Sequence, residues 1–309
     1  MKKPELLVTP TCVSDIERLA NAGADAVIIG EERYGLRLAG EFKREDLQAA
    51  VKAAHQRNMK AYVAVNAIFH NDKIEELKDY IEFVKNIEAD AIVYGDPAVL
   101  MTVREVAPEM KLHWSTETLG TNWYTCNYWG RKGAKRAVLA RELNVDAIVE
   151  IKENAEVEIE VQVHGMTAMF QSRRTLIGNY YEFQGKKMEI ENRAKHDKMF
   201  LHDNERGNKY PIFEDSNGTH IMSPNDICII DELEELIDAG IDSFKIEGIL
   251  KSSDYIVEVT KKYRQAIDLC ADDREQYDNL KEQWVAEIEV IQPHNRPLDT
   301  GFFYKETVY

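Results

Sequence analysis

Arg37, Arg141, Arg173 and Arg174 are the side chains of this sequence best suited to hold an anion, because a guanidinium presents paired donors that match a carboxylate or phosphate. His164, Glu142 and Glu247 are of the types that shuttle protons or ligate a divalent ion. None of these three stands at ligand spacing from another, so acid/base roles are expected of them and no metal site. Asn66, Glu117 and Lys251 join the arginines as candidate substrate-binding groups. Taken one at a time, each of these residues reads more readily as a polar side chain bonded to a neighbouring loop, and Arg173-Arg174 equally well as a solvated loop face. No HExxH, GxSxG, P-loop or GxGxxG occurs, which removes local support for a zincin, an α/β-hydrolase, a nucleoside triphosphatase or a dinucleotide site. Cys12, Cys126, Cys228 and Cys270 form no CxxC pair, which disfavours a zinc knuckle or a disulfide framework. Cys12 follows the first strand, where a thiolate could face a site, but no base pairs with it in sequence.

Such scattered residues can act together only if the fold converges them. Short β-branched runs alternate with longer amphipathic segments, the pattern of βα units around a parallel sheet. Strands are predicted at Glu5 to Val8, Ala26 to Ile29, Ala61 to Val65, Ala91 to Tyr94, Leu112 to Trp114, Ala137 to Leu139, Ile159 to Val163 and Ser243 to Ile246. Helices are predicted at Val13 to Ala22 with Ser14 as cap, at Arg44 to Arg57, and from a cap at Asp72 through Ile87. Others follow from Pro97, over Val145 to Lys152, over Asp231 to Ala239, and from Ser253 to Leu269. Eight units predict a (β/α)8 TIM-type barrel, whose site lies on the rim at the C-terminal ends of the strands. All the candidate residues except Arg173 and Arg174 then stand just after a strand.

Alternating polarity in the seventh strand predicts one face toward water. The polar stretch from Gln171 to Asn208 has no clear period and is expected to be a mobile rim excursion. Tyr210 to Phe213 and Thr219 to Met222 flank Asn217-Gly218, which predicts a β-hairpin between strands seven and eight. The expected division is a barrel over 1–272, with the loop and hairpin inserted at 171–228, and a tail over 273–309 that packs back on it.

With 309 residues, 44% hydrophobic and 30% charged, the chain can bury a sizeable core. No segment resembles a secretory leader or a membrane span, so a cytoplasmic location and no membrane partner are expected. The net charge of −16, from 39 basic and 55 acidic residues, opposes contact with nucleic acid unless a local basic patch or a partner supplies it.

Several segments carry a family resemblance: Arg33-Tyr34-Gly35-Leu36-Arg37, Ala140-Arg141-Glu142-Leu143, Val163-His164-Gly165, Ser223-Pro224-Asn225-Asp226, Phe244-Lys245-Ile246-Glu247-Gly248 with Lys251-Ser252, and Thr300-Gly301-Phe302-Phe303-Tyr304. Together they resemble the collagenase-like U-32 peptidase family from the first strand to the tail. Within it the chain is most similar to short bacterial members encoded beside a longer paralogue, a pair associated with 5-hydroxyuridine synthesis at the tRNA wobble position. The resemblance implies an accessory or substrate-binding subunit of a prephenate-dependent tRNA hydroxylation. It leaves a collagenase-like peptidase and a non-catalytic scaffold as alternatives. Hydroxylation-linked members carry a Cys-x6-Cys pair after the His-Gly motif. Here the matching positions are Ala168 and Thr175, with Cys228 the one thiol of that set, so no cofactor is expected in this chain and any iron–sulfur cluster would sit in the longer paralogue. That paralogue and a small anionic ligand are the expected partners, with tRNA reached through the partner or a local basic patch.

Overall fold

Apolar β-branched runs of four to eight residues give the strands that close the molecule on itself. The computed structural model describes residues 2–186 and 199–306. Strands β1 (Glu5–Val8), β2 (Ala26–Ile29), β3 (Lys60–Val65), β4 (Ala91–Tyr94), β5 (Lys111–Trp114), β6 (Ala134–Val138) and β7 (Glu158–Gly165) pair in parallel with their neighbours. Strand β13 (Ser243–Ile246) closes the ring, with Phe244 opposite Val161 of β7 on one side and opposite Leu6 of β1 on the other. This is the (β/α)8 barrel that the alternation of strands and helices predicts.

Helices α1 (Asp15–Asn21), α2 (Arg44–Gln56), α3 (Asn71–Asn86), α4 (Pro97–Val106), α5 (Trp123–Arg131), α6 (Val145–Asn154), α8 (Glu234–Asp238) and α9 (Ser253–Asp272) surround it. Pro97 opens α4 and Asp96 caps it, accepting from the Ala98 amide at 2.9 Å. Asp72 lies in the first turn of α3, whose cap is His70, and Ser14 stands at the cap of α1 without a side-chain bond. Helix α5 was not legible: its aromatic, half-exposed sequence has few apolar positions at a single helical face. The tail contains α10 (Arg274–Ile291), which buries Tyr277, Trp284 and Ile288. No described helix is long and apolar enough to cross a membrane.

The main core lies between strands and helices. Inside the barrel a smaller apolar layer of Leu7, Ala26, Tyr62, Ala91 and Val93 occupies part of the lumen. Charged and polar side chains share the lumen with it, among them Arg136, Glu160, Gln162 and Lys245. The alternation in β7 therefore does not mark a wet face. Seven of its eight residues are buried, because Glu160 and Gln162 point into a polar lumen, where Arg136 bonds Glu5 at 2.6 Å and Glu160 at 3.3 Å.

The described parts of the excursion after β7 also carry regular elements that its composition does not signal. It forms β8 (Ala168–Ser172), α7 (Leu176–Phe183), β9 (Met199–Asp203), β10 (Asn208–Asp215) and β11 (Gly218–Met222); residues 187–198 of the predicted stretch lie outside the described residues. The strands make an antiparallel sheet in the order β8-β11-β10-β9. The predicted hairpin is present, with Asp215 opposite Gly218. Gly218 has φ +108°, and a Cβ there would lie 2.0 Å from the Ser172 carbonyl oxygen. At the hairpin tip the Ser216 amide donates to Glu32 at 2.9 Å and Asn217 Nδ2 to the Glu32 carbonyl at 2.8 Å, which seats the sheet on the rim. Strands β12 (Asp226–Cys228), antiparallel to β7, and β14 (Leu298–Asp299), parallel to β12, bind the tail to the barrel.

Candidate functional site

Arg37 and Glu117 leave the ends of β2 and β5 on loops that place both backbones in the left-handed region, at φ 49° and 66°. Non-glycine residues pay roughly 1–3 kcal/mol for such conformations, which persist only where the surroundings impose them. Here they aim the two side chains at each other across the mouth. Arg37 Nη2 is ion-paired with Glu117, and Arg37 Nη1 donates to Gln171 Oε1 of the excursion at 3.0 Å. Arg141, after β6, donates from Nε to Gln162 Oε1 at 2.6 Å and lies 4.0 Å from Glu117. Burial alone would raise the Glu117 carboxyl, but Arg37, Arg141 and Lys245 together hold it down to about 2.

Below this layer Lys245 Nζ pairs with Glu247 Oε2 at 2.9 Å, and Glu247 Oε1 accepts from Thr9 at 3.2 Å and from the Ile249 amide at 3.1 Å. Thr9, Arg37, Asn66, Ser115, Glu117, Lys245 and Glu247 line a small inner chamber of about 30 Å³. An outer groove of about 320 Å³ shares Arg37, Asn66, Ser115 and Glu117 with it and is walled by Gln171. Two donors in this layer, Arg37 Nε and Arg141 Nη1, are buried with no partner among the described residues. Buried guanidinium donors are rarely left unbonded, so they mark where an anion would be received. A wider hollow of about 610 Å³ opens at the opposite end of the barrel, but its cations are already paired, Lys60 and Arg136 with Glu5 and Lys3 with Asp268.

The candidate residues thus divide. Arg37, Asn66, Glu117, Arg141 and Glu247 meet around the mouth. Glu142 is exposed beside Arg141, and Arg173 and Arg174 are exposed on the excursion. His164 and Lys251 belong to a second cluster. A register shift in the β7–β13 pairing sets His164 opposite Ile246, whose side chain is in the outer core, so the imidazole leaves the lumen and meets Tyr255 Oη of α9 at 2.7 Å. Its chain neighbour Gly165, at φ +98°, lets the strands close up, since a Cβ there would lie 2.2 Å from the Glu247 carbonyl oxygen. Lys251 is ion-paired with Asp226, which also takes Arg296 Nε at 3.1 Å. The side chains of His164, Glu142 and Glu247 therefore do not form one acid/base set.

Absent from the sequence-derived candidates are Lys245, Gln162, Gln171 and His220 at the mouth and Asp226 and Arg296 in the second cluster, although Lys245 and Asp226 lie in segments that carry the family resemblance. Lys245 carried one signal, a lone cation between Phe244 and Ile246 in an apolar run. The others become visible only through pairing, as when the β8–β11 register presents Gln171 and His220 together to Arg37, the latter at 3.4 Å.

Burial lowers the His164 imidazole to about 3. The unfolded value is about 6.5, so the contribution of the neutral imidazole is complete above that pH and is lost as pH falls toward the folded value. Between about pH 6 and 4 the wild type should lose about 1.4 kcal/mol more per pH unit than His164→Gln. Urea titrations across that range check this; parallel curves for the two proteins would contradict it.

Comparisons with known proteins agree with this architecture. The model of peptidase family U32 matches residues 12–308. The chain is 70% identical, over the whole length of both, to a Bacillus subtilis (strain 168) protein named tRNA hydroxylation protein P2. It is 32% identical to tRNA hydroxylation protein P1 of the same organism, over 98% of this chain and 71% of that one. Among solved structures a U32 peptidase superposes with a TM-score of 0.52, at 13% identity over 80% of this chain and 94% of the other, a likeness of fold alone. On the family match and the full-length relative, the chain belongs to peptidase family U32.

Proposed function

We propose that the chain is a substrate-holding subunit in the 5-hydroxylation of tRNA wobble uridine, and that its mouth receives a small dicarboxylate of the prephenate type. The observation that carries this reading is the pair of unpartnered donors on Arg37 and Arg141, each side chain 9% exposed, on either side of Glu117. Arg37 and Arg141 bind and orient the carboxylates, Asn66 and Gln171 contribute amide groups to the walls, and Lys245 and Glu247 form the floor. The name of the 70% identical relative supports the tRNA hydroxylation assignment. The 32% identical relative, of which this chain covers 71%, is a longer protein of the kind the proposed partner would be.

An iron–sulfur cluster does not fit the thiols of this chain. A cluster needs thiolates gathered at one site, whereas Cys126, Cys228 and Cys270 are buried on three separate elements, α5, β12 and α9. Cys12 is exposed beside Ser14, and Ala168 and Thr175 supply no sulfur. The redox chemistry is accordingly assigned to the partner.

Nucleoside mass spectrometry of wobble uridine in a strain lacking this chain tests the proposal. Loss of 5-hydroxyuridine, restored by the wild-type chain and not by Arg141→Ala, is expected. Persistence of the modification in the deletion strain, or full restoration by Arg141→Ala, would overturn it.

A further inference from the structure

From Thr118 to Arg141 the chain carries no aspartate or glutamate, although 55 of its 309 residues are acidic. Five cations fall in the same stretch: Arg131, Lys132, Lys135, Arg136 and Arg141. Arg136 and Arg141 are taken up by the lumen and the mouth. Arg131, Lys132 and Lys135 are exposed, and among the described residues none has a carboxylate partner. They stand with an unusual set of exposed rings. Trp123, Tyr124 and Tyr128 are 37%, 65% and 46% exposed on α5. Tyr124, Tyr128 and Arg131 recur at helical spacing, so they form one stripe.

Arg131 lies over the Tyr124 ring at 5.9 Å and Lys132 over the Tyr128 ring at 5.6 Å. Arg104 of α4 adds a further exposed cation, donating to the Lys132 carbonyl at 2.6 Å. On the α6 side Glu156 adjoins the helix, its amide donating to Asn127 Oδ1 of α5 at 2.7 Å. The aromatic end of the stripe begins six residues after Glu117, and the connecting loop is tied to the rim by the bond from the Ala140 amide to the Gly120 carbonyl at 3.0 Å. The stripe thus runs from the mouth down one side of an otherwise acidic molecule.

We propose that this stripe of α5 is the surface on which a single-stranded RNA loop docks, with bases stacked on Trp123, Tyr124 and Tyr128 and phosphates against Arg131, Lys132 and Lys135. Rings beside unpaired cations are what unpaired RNA recognition requires, because every base offers a stacking face and every phosphate a charge. Charge complementarity selects RNA over an acidic protein surface, since the remaining exterior repels both and only RNA uses the rings in this way. The inference rests on the tRNA hydroxylation reading and adds to it the place of contact; the loop lies where its end can reach the mouth.

The test uses the full chain at low salt with an unmodified anticodon stem-loop RNA carrying 4-thiouridine at the wobble position. Photo-crosslinks are expected within Trp123 to Tyr128, and Tyr124→Ala/Tyr128→Ala should lower their yield at least about tenfold. Arg131→Gln/Lys132→Gln/Lys135→Gln should flatten the dependence of log affinity on log salt by about 2. Arg141→Ala should crosslink as the wild type does. Unchanged yield and salt slope in both stripe variants, no crosslink at all, or crosslinks confined to Met169 to Phe183 would overturn the docking surface. If stripe variants lose the RNA while Arg141→Ala still supports modification, the mouth assignment fails and the docking surface stands. If stripe variants crosslink normally while Arg141→Ala abolishes modification, the docking surface fails and the mouth assignment stands.

Discussion

Arg37→Ala is expected to weaken dicarboxylate binding by about 2–5 kcal/mol, roughly 30-fold or more, and to abolish wobble-uridine hydroxylation. Arg37 is 9% exposed and holds the largest opposing influence on the buried Glu117 carboxylate. Truncating it leaves that carboxylate to Arg141, 4.0 Å away, and to Lys245. A buried charge deprived of its partner is costly, so stability should fall with the binding. Removing both members should separate the two effects. Arg37→Ala/Glu117→Ala recovers part of the lost stability, because the carboxylate left by Arg37 is gone and Arg141 keeps its bond to Gln162, yet binding does not return. Denaturant melts and calorimetric titration with prephenate measure the two quantities. A double variant that regains both would show that Arg37 serves only to neutralise Glu117.

Asp226→Ala is expected to have the largest effect on the fold, a loss of about 3–5 kcal/mol. Asp226 and its partners Lys251 and Arg296 are almost wholly buried, with side chains at most 2% exposed. Gln292 also donates to it, and its own amide bonds the Pro297 carbonyl at 3.0 Å. One carboxylate therefore ties β12 to the turn before α9 and to the tail, and its removal takes that carboxylate from two buried cations. Such a loss is a large share of the roughly 5–15 kcal/mol that holds a domain together. Equilibrium urea unfolding gives the size, and faster amide exchange over Gln292 to Phe303 would locate it. A loss below about 1 kcal/mol would show that water reaches the site and screens the charges. Burial opposes ionisation of Asp226, but Lys251 and Arg296 hold its carboxyl below the usual range. Its contribution is thus present above the unfolded value of about 3.9 and disappears as pH falls below it, so the wild type and Asp226→Ala should converge in stability in acid.

The barrel was legible because each strand had to be an apolar run flanked by a helix with one apolar face, and those local periods survive in a single sequence. Pro97 and Gly218 also acted locally, through a fixed φ and a turn that only glycine fits well. Their places just after strands make Arg37, Asn66, Glu117, Arg141 and Glu247 neighbours on one rim. His164 and Lys251 stand equally close to strand ends, but which face a side chain takes depends on register. One shifted pairing between β7 and β13 moved His164 from the lumen to the helix layer.

Glu160, Gln162 and Lys245 show the same limit from the other side. Alternating polarity identifies two faces of a strand and does not say whether the polar one meets water or a charged lumen. Gln171 and His220 reach the mouth only because an antiparallel sheet, spanning residues far apart in sequence, seats its hairpin on Glu32. The sequence by itself determined the fold class, the rim and most of the residues that gather at the mouth, since these follow from period and chain order. Tertiary structure alone decided which charges pair and which donors remain open, because pairing depends on distances across the barrel that no local pattern encodes.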